Sequence, residues 1–559
     1  AATASSTTSV FVLPTAAPAP NINSSDFDLA RHFCRIYRHA SVVADGKIYI
    51  DGGETYVPKN NGTFNTTGAG QWAKGINNHL VVIDLSKNFT DQDTFPYSTI
   101  HKGPDVPGSL MEHALWYSAA TRKIYQIGGW WSASNTEDPG FKDLRDIPEA
   151  SIWQFDIDTK TWTDADGQLA LVNQPPKVDR QGAAAFCDAP SLNKSYIFEG
   201  YVMQRSDKDY IAFQEWNEFQ FIEGMLQLDT SSAVKQPTLT NISVPLQMGD
   251  KDFGPRMNGA MVHVPVGKSG VLVQIGGQIT VHPTPYGQGI QDAAGGNQNI
   301  PLTFVDIYDI ETGFWFRQQT FGLANGIPIG RSDICAVMVP AKDNSSFNIY
   351  VVAGMDNYAT HVTISDIWVL TLPSFQWILV NTLPAGFYGH TCHGIGENLV
   401  IVGGMETTTS GDIDTCASHM PATVYSLVEH NMTGVFDAEG AKRIPPVHPS
   451  IVQAVGGTAD GGAYITKAKF WSDVYLQYVF DPSVPRPSYT PTYKLANGTS
   501  PDGNNGTNNP NQTPTSTGEP DSSGNKGAVI GGAVGGVLGA LLLAGIVAFF
   551  VWRRRKANK

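Results

Sequence analysis

The chain has 559 residues, of which 41% are hydrophobic and 16% are charged, and its formal net charge at pH 7 is −14. The last seven residues carry five of the cations, so the rest of the chain has a net charge of −19 and would repel the phosphates of a nucleic acid. Five cysteines are too few for a disulfide scaffold in a chain of this length, so a hydrophobic core must stabilise the fold.

The beginning of the chain predicts an extracellular N-terminus. The numbering starts at Ala1 rather than at a methionine, which indicates that a signal peptide has been removed. Residues 1–29 are predicted to be disordered, and a folded extracellular domain is predicted for residues 30–484.

Within residues 30–484, one pattern of two strands recurs six times. The second strand of each copy ends in a glycine doublet or a near variant, as in KIYIDGG (47–53), KIYQIGG (123–129), SYIFEG (195–200), VLVQIGG (271–277), IYVVAG (349–354) and LVIVGG (399–404). An earlier apolar run, opened by Arg or His, begins at Arg38, His113, Arg180, Arg256, Arg331 and His390. Each copy therefore predicts two strands joined by a turn.

A polar loop and then a third and usually a fourth strand follow each glycine signal, as in SIWQFDIDTKTWT and FVDIYDIETGFWF. Four antiparallel strands repeated around a circle are typical of a β-propeller. The doublets permit positive φ and close backbone approach, and Trp162, Trp315 and Trp377 of the fourth strands are predicted to fill the space between blades.

The pattern Arg/His, apolar strand, IYxxGG, loop, D-I-W/Y-x-x-D resembles the kelch repeat. More narrowly, FCRIYRHASVVADGKIYIDGG, with the segments that end the chain, resembles the single-pass kelch-repeat membrane proteins of filamentous fungi. This resemblance implies an all-β kelch propeller of six blades, distantly related to the central domain of galactose oxidase. A seventh blade is a second possibility, because IVQAV precedes the doublet Gly456-Gly457 and FWSDVYLQYVF has the pattern of a further outer strand pair. The same segment could instead complete blade 1 or 6.

The end of the chain predicts a stalk and a membrane anchor. Residues 485–527 are rich in Pro, Asn, Gly, Ser and Thr and cannot bury enough apolar surface to fold. Residues 528–552 carry no charge and are long enough to cross a bilayer as a helix, and the basic tail 553–559 follows. A single-pass plasma-membrane protein with a cytoplasmic C-terminus is therefore predicted. The GxxxG patterns of Gly531, Gly535 and Gly539 suggest a homodimer through this helix, although glycine is common in such helices.

Eleven Asn-X-Ser/Thr sites predict glycosylation in the secretory pathway, mostly in polar, loop-like stretches. The alternative is that a chain rich in Asn, Ser and Thr contains such sites by chance. The acceptors are Asn23, Asn61, Asn65, Asn88, Asn193, Asn241, Asn344, Asn431, Asn497, Asn505 and Asn511.

Two groups of residues are candidates for ligand binding, both on the face that carries the long loops. The first is a predicted ring of donors near the central channel, suited to an anionic or polyhydroxylated ligand. It consists of Arg38, His39, His113, Arg180, Arg256, Arg331 and His390. The second is an aromatic platform of Trp130 and Trp131. For both groups the alternative is a structural role, in which the side chains bond neighbouring loops or pack a loop onto its own blade.

The cysteines allow one predicted bridge. Cys392 and Cys416 flank the loop of blade 6, and a disulfide between them is predicted in an oxidising compartment. Cys187 and Cys335 fall inside first strands and are predicted to be buried thiols, while Cys34 is left unassigned.

These features predict a non-enzymatic surface module, without cofactor, metal or catalytic residue, that binds an extracellular protein or a cell-wall polysaccharide. The first alternative is a copper radical oxidase like galactose oxidase, whose copper site uses Tyr and His ligands and a Tyr-His dipeptide. The chain has no such dipeptide, and the nearest substitutes are Tyr37 with His39 and Tyr388 with His390. The second alternative is a structural coat glycoprotein.

Overall fold

A computed structural model provides the coordinates of the chain. It describes residues 35–481 except the internal stretches 59–71, 92–95, 104–105, 109, 134–140, 150–151, 166, 174–177, 213–217, 233–235, 243–254, 281–287, 291–296, 358–361, 409–410 and 413–421. The predicted segments 1–29, 485–527, 528–552 and 553–559 lie outside the described residues. In the part of the chain that is described, no helix has both the length and the apolar character needed to cross a bilayer.

Six antiparallel sheets follow one another along the chain, and the four main strands of each sheet pair in sequence order. The first strands of neighbouring sheets contact each other, and the first strand of the sixth sheet contacts that of the first, so the sheets form a closed ring. The described residues therefore form a β-propeller of six blades, with the first strand of each blade innermost.

The main strands of the six blades have the following bounds. Blade 1 contains Ala40–Ala44, Lys47–Asp51, His79–Asp84 and Tyr97–His101; blade 2 contains Ala114–Ser118, Lys123–Ile127, Trp153–Asp156 and Thr161–Asp164; blade 3 contains Ala185–Ala189, Lys194–Phe198, Met225–Asp229 and Thr238–Ile242. Blade 4 contains Ala260–Val264, Val271–Ile275, Phe304–Asp309 and Phe314–Gln319; blade 5 contains Cys335–Pro340, Phe347–Val352, Asp366–Leu372 and Gln376–Thr382; blade 6 contains Thr391–Ile395, Asn398–Val402, Ala422–Ser426 and Asn431–Met432.

The core lies between the faces of adjacent blades, so blade strands are apolar on both faces instead of alternating. Val271–Ile275, for example, is buried at every residue. Of the predicted aromatic fillers, Trp315 and Trp377 are buried and packed against neighbouring apolar side chains, and Trp162 is partly buried.

Short strands extend or connect the blades. Ala170–Val172 and Phe321–Gly322 add a parallel edge strand to blades 3 and 5. Six small sheets lie on the face of the long loops. Two have three strands: Arg35–Tyr37, Glu54–Pro58 and Trp72–Ile76 form one, and Tyr201–Met203, Glu218–Phe221 and Gln288–Ile290 form the other. Four have two strands: Leu110–Met111 with Trp130–Trp131, Gln278–Thr280 with Asn297–Asn299, Met355–Asn357 with Val362–Thr363, and Thr407–Thr408 with Gly411–Asp412. Phe89–Thr90 of blade 1 pairs with Val435–Phe436, which follows blade 6, and so helps to close the ring.

The seventh blade that the sequence left possible is absent from the described residues, because its segments form helices. Helix α1 spans Pro449–Val455 and buries Ile451 and Val455 against blades 5 and 6, and helix α2 spans Val474–Phe480 and packs against blades 4 and 5. Two features at the helix starts favour helix over strand. Pro449 occupies the first turn of α1, and at the start of α2 the Asp473 carboxylate accepts a hydrogen bond from the Tyr475 N–H. Short 3-10 turns occur at Leu144–Asp146, Pro190–Leu192, Lys208–Tyr210 and Gly440–Lys442.

Candidate functional site

A ring of left-handed residues surrounds the propeller axis, two positions before the first strand of each blade. All six have φ between 51° and 64°: Arg38, Glu112, Ala183, Asn258, Asp333 and Gly389. Five of the six neighbouring pairs are joined by a hydrogen bond of 2.6–3.0 Å from the N–H of one to the carbonyl of the residue in the preceding blade, including Arg38 to Gly389 across the junction of blades 1 and 6. We call these six residues the axial ring.

On the loop side of the axial ring, a buried apolar layer closes the axis. In every blade the residue before the ring position pairs with the residue that follows the glycine signal: Tyr37 with Glu54, Met111 with Trp130, Gly182 with Tyr201, Met257 with Gln278, Ser332 with Met355, and Tyr388 with Met405. Most of these side chains, with Met203, Phe219 and Phe221, form one buried cluster that contains residues from all six blades. This layer, which we call the apolar cap, separates the axis from the face predicted to bind ligands.

On the other side of the axial ring, the first strands enclose a cavity of about 530 Å³ to which all six blades contribute. Exposure increases along the first strand of blade 6, away from the cap. In blade 6, His390 and Cys392 are buried, His393 is partly exposed and Gly394 is exposed; Pro190 is exposed at the same end of blade 3. The cavity is therefore closed at the cap and open at the face opposite the long loops.

Four of the predicted ring residues line this cavity: Arg38, His39, His113 and His390. Arg38 pairs with Glu112, which lies 3.1 Å away, so its charge is balanced at the closed end. The three histidines occupy the same repeat position, one residue before the first strands of blades 1, 2 and 6.

The other three predicted ring residues occupy different repeat positions and lie elsewhere. Arg256 contacts Asp306 at 2.8 Å and Glu199 at 3.2 Å, and Arg331 pairs with Asp366. Arg180 donates to the Glu149 carbonyl and is 1% exposed. None of them lines the cavity. These contacts match the structural alternative, since each of the three arginines lies four or five residues before its first strand and bonds a carboxylate or a carbonyl oxygen of the protein.

The predicted aromatic platform is not exposed. Trp130 and Trp131 are 1% and 2% exposed, and the Trp130 indole N–H donates to Glu112 Oε2 at 3.0 Å. Trp130 belongs to the apolar cap and Trp131 packs on Leu110 and Ile147. The prediction that these two rings offer a binding surface was wrong, and they pack their loop onto the blade.

A chain of side-chain hydrogen bonds crosses the junction of blades 1 and 6 on the cavity wall. His39 Nε2 lies 3.0 Å from Thr391 Oγ1, which also bonds Ser41 Oγ, and Ser41 Oγ lies 2.7 Å from His393 Nε2. Burial lowers the pKa of His39 and that of His390 to about 3, and lowers the pKa of His393 to about 4. The imidazoles on this wall are therefore neutral near pH 7 and can each donate one hydrogen bond and accept another.

Three acidic residues of the cavity, Glu112, Asp188 and Asp333, were missed by sequence reasoning. Burial raises the pKa of Asp333 in the axial ring to about 6, although Arg38 opposes the shift, and it raises the pKa of Asp188 to about 7 against the hydrogen bond from Ser195. Aligning the repeats on the start of each first strand would have placed Asp333 beside Arg38 and Glu112. No comparable signal identifies Asp188.

The cysteine pairing differs from the prediction. Cys392 forms a disulfide with Cys335, not with Cys416. Cys335 is the first residue and Cys392 the second residue of a first strand, so the bridge joins blades 5 and 6 at the cavity wall. The prediction failed because it considered neighbours along the chain, whereas first strands of successive blades are neighbours in space. Cys187 is a free thiol, and Cys34 and Cys416 lie outside the described residues.

Five of the eleven predicted glycosylation sites lie in the described residues, and none is buried. Asn88, Asn344 and Asn431 are exposed, and Asn193 and Asn241 are partly exposed. Asn23, Asn61, Asn65, Asn497, Asn505 and Asn511 lie outside the described residues.

The residues considered for copper separate in space. A residue with left-handed backbone conformation separates each tyrosine from its histidine: Arg38 lies between Tyr37 and His39, and Gly389 lies between Tyr388 and His390. As a result, both tyrosines lie in the cap and both histidines line the cavity. Tyr37 donates to Glu54 at 2.7 Å. Across the described stretches, no three His, Cys, Asp or Glu side chains are grouped as metal ligands, so the oxidase alternative gains no support from them.

Comparisons with known proteins agree with the repeat pattern. Among curated proteins, the chain is similar to a kelch repeat-containing protein of Arthroderma benhamiae, with 24% identity over 409 residues. The predicted resemblance to kelch-repeat proteins is confirmed. The match covers 66% of this chain and 53% of the relative, so the chain spans about half of the length of that kelch protein.

Two further comparisons add little to the description of this six-bladed propeller. No family model matches the chain. The solved structure titled "Structure of YjhT" is 12% identical and covers 70% of this chain and 97% of its own, with a TM-score of 0.40. At that score the likeness carries no argument, and the fold rests on the sheet topology.

Proposed function

We propose that this kelch propeller is a non-enzymatic binding module, displayed outside the cell on a stalk and a single membrane helix, for an extracellular protein or a cell-wall polysaccharide. The fold itself suggests an interaction module, since a propeller presents loops from six blades on a rigid ring. The observation that carries the proposal is the arrangement of the loop face, where every blade contributes strands to small sheets beside the buried cap.

Several observations support an extracellular location. The disulfide between Cys335 and Cys392 is of the kind that persists in oxidising compartments. The described glycosylation acceptors are all at least partly exposed, as modification requires. The uncharged segment 528–552 has the length of a membrane span, and its glycines suit a homodimer.

The proposal is tested on intact cells that produce the full chain. Fluorescent β-glucan, chitin oligosaccharides and mannan, and labelled secreted proteins of the same cells, are added over a range of concentrations. The matched control is an unrelated soluble domain joined to residues 482–559, which keeps the same stalk and anchor. Saturable retention that requires residues 35–481 supports the proposal, and equal retention by the control cells for every probe would refute it.

A further inference from the structure

We propose that the central cavity is a binding site for a small, uncharged, polyhydroxylated ligand such as a monosaccharide or a polyol, which enters from the face opposite the long loops. This site is separate from the proposed macromolecular surface, because the apolar cap lies between the two. A polysaccharide or a folded protein cannot enter a cavity of about 530 Å³, whereas this volume is within the range of small-molecule sites.

The cavity wall formed by blades 1 and 6 is polar. It presents His39, Ser41, Thr391 and His393, joined by hydrogen bonds within the wall, and His390 lies beside them. Neutral imidazoles and hydroxyls both donate and accept hydrogen bonds. The hydroxyl groups of a sugar do the same, so the wall matches a polyol better than a ligand that only accepts or only donates.

Apolar side chains line the cavity on the side opposite the polar wall. Ala184 and Phe186 of blade 3 and Val262 of blade 4 lie there, and Ile334 and Val337 extend the apolar lining through blade 5, which neighbours blade 6. A pyranose ring has apolar faces and a polar edge, and an aromatic or aliphatic wall opposite a hydrogen-bonding wall can contact both at once.

The closed end of the cavity carries three charged residues. Arg38 is compensated by Glu112 at 3.1 Å, and Asp333 is the third charged residue of the axial ring. Because Arg38 is compensated and the carboxylates of Asp333 and Asp188 also line the cavity, an anionic ligand would meet no free cation and would be repelled. The site therefore disfavours an anionic ligand, and the polar wall matches a neutral polyol.

The entrance provides a clean test because Gly394 lies at the open end and tolerates a side chain. A Cβ added there would approach Val337 at 3.7 Å, an ordinary contact, so Gly394→Phe should fold and obstruct the cavity. The matched control is Gly103→Phe, also at an exposed glycine, where a Cβ meets nothing within 4 Å and which does not line the cavity. Thr391→Val removes one hydroxyl from the polar wall while preserving its shape.

The full chain is purified in a detergent without a sugar headgroup. Binding is measured by saturation-transfer NMR and calorimetry. The neutral probes are glucose, galactose, mannose, N-acetylglucosamine and mannitol, and the anionic probe is gluconate. We expect at least one neutral probe to bind with a Kd of about 1 mM or tighter, and about a tenfold weaker Kd in Thr391→Val. Gly394→Phe should lose the binding, and Gly103→Phe should retain it.

Three results would overturn the proposal: no neutral probe binds, gluconate alone binds, or Gly394→Phe binds as the wild type does. Thermal unfolding of each variant identifies loss of the fold. If Thr391→Val does not fold, the pair of glycine variants decides alone. Retention of polysaccharide on intact cells does not use the cavity, so Gly394→Phe should leave that retention unchanged. The cell assay therefore tests the macromolecular surface, the titrations test the cavity, and each proposal can fail without the other.

Discussion

Asp51 of blade 1 and His113 of blade 2 meet across the gap between their blades, with His113 Nε2 3.1 Å from Asp51 Oδ2 and neither side chain exposed to solvent. Lys102 and Gln126 contact the same carboxylate. Burial alone would raise the pKa of Asp51, but Lys102 and His113 outweigh it and hold the pKa at about 2. The network thus fixes two blades together while the glycine doublet beside Asp51 lets the imidazole approach.

Replacing Asp51 should be strongly destabilising. Asp51→Asn leaves the Lys102 ammonium buried without its carboxylate, and we expect the free energy of unfolding to fall by about 3–5 kcal/mol. Urea denaturation followed by tryptophan fluorescence measures the change. Asp158→Asn, which breaks the exposed pair with Arg122, is the control and should leave the midpoint nearly unchanged. Equal effects of the two substitutions would show that the buried network does not join the blades.

The buried His390 should make the propeller sensitive to acid. Its folded pKa of about 3 lies below the ordinary 6.5, so the unfolded chain takes up a proton that the folded state excludes. The stability that this neutral imidazole contributes is complete above pH 6.5 and is lost as the pH falls toward 3. Between about pH 7 and pH 5 the loss should be roughly 2 kcal/mol, and His390→Gln should remove it. Denaturation at the two pH values tests this, with the exposed His101→Gln as control; an unchanged pH dependence in His390→Gln would contradict the burial.

Three glycine-to-alanine substitutions separate backbone strain from close approach. Gly103 has ordinary φ and open space, Gly46 has φ of 68° and open space, and Gly53 has φ of 77° and would place a Cβ 2.8 Å from the His39 Cβ. We expect no loss of stability at Gly103, a loss of about 1 kcal/mol at Gly46 and a larger loss at Gly53. Thermal unfolding of the three variants gives the order. A Gly53→Ala chain as stable as Gly46→Ala would mean that the doublet serves only the turn.

The disulfide joining blades 5 and 6 should contribute measurably to stability. Its half-cystines are 57 residues apart. Closing a loop of that length is expected to contribute about 4 kcal/mol through the unfolded chain. The double variant Cys335→Ser, Cys392→Ser should lower the unfolding midpoint in urea accordingly, whereas Cys187→Ser should change it less, since Cys187 has no bond to lose. Peptide mapping without reduction should also yield the Cys335–Cys392 pair; a Cys392–Cys416 pair would restore the sequence-based prediction.

The repeat pattern predicted the fold because each blade repeats the same local signals. Apolar strands and a glycine doublet or its near variant recur in all six blades, and a tryptophan occurs in the fourth strands of blades 2, 4 and 5. The IVQAV and FWSDVYLQYVF segments were misread because short apolar runs have no decisive period, and the caps at Pro449 and Asp473 were not weighed.

The site was predicted only in part. The residue type alone, Arg or His before a strand, did not distinguish Arg38, in the axial ring, from Arg256, which binds Asp306. The distance from the strand start distinguishes them, because the chain turns at the left-handed ring position. The burial of Trp130 and the pairing of Cys335 with Cys392 depend on contacts between blades, which no local pattern records.

Protease treatment of intact cells that carry the full chain with a C-terminal epitope tests the central claim, a folded propeller held outside the membrane, most directly. We predict that brief digestion releases a glycosylated fragment containing residues 35–481 that resists further cleavage, while the epitope stays with the cells on a short fragment. A chain that remains uncut until the cells are lysed, or one that is degraded to small peptides without a resistant fragment, would contradict the account.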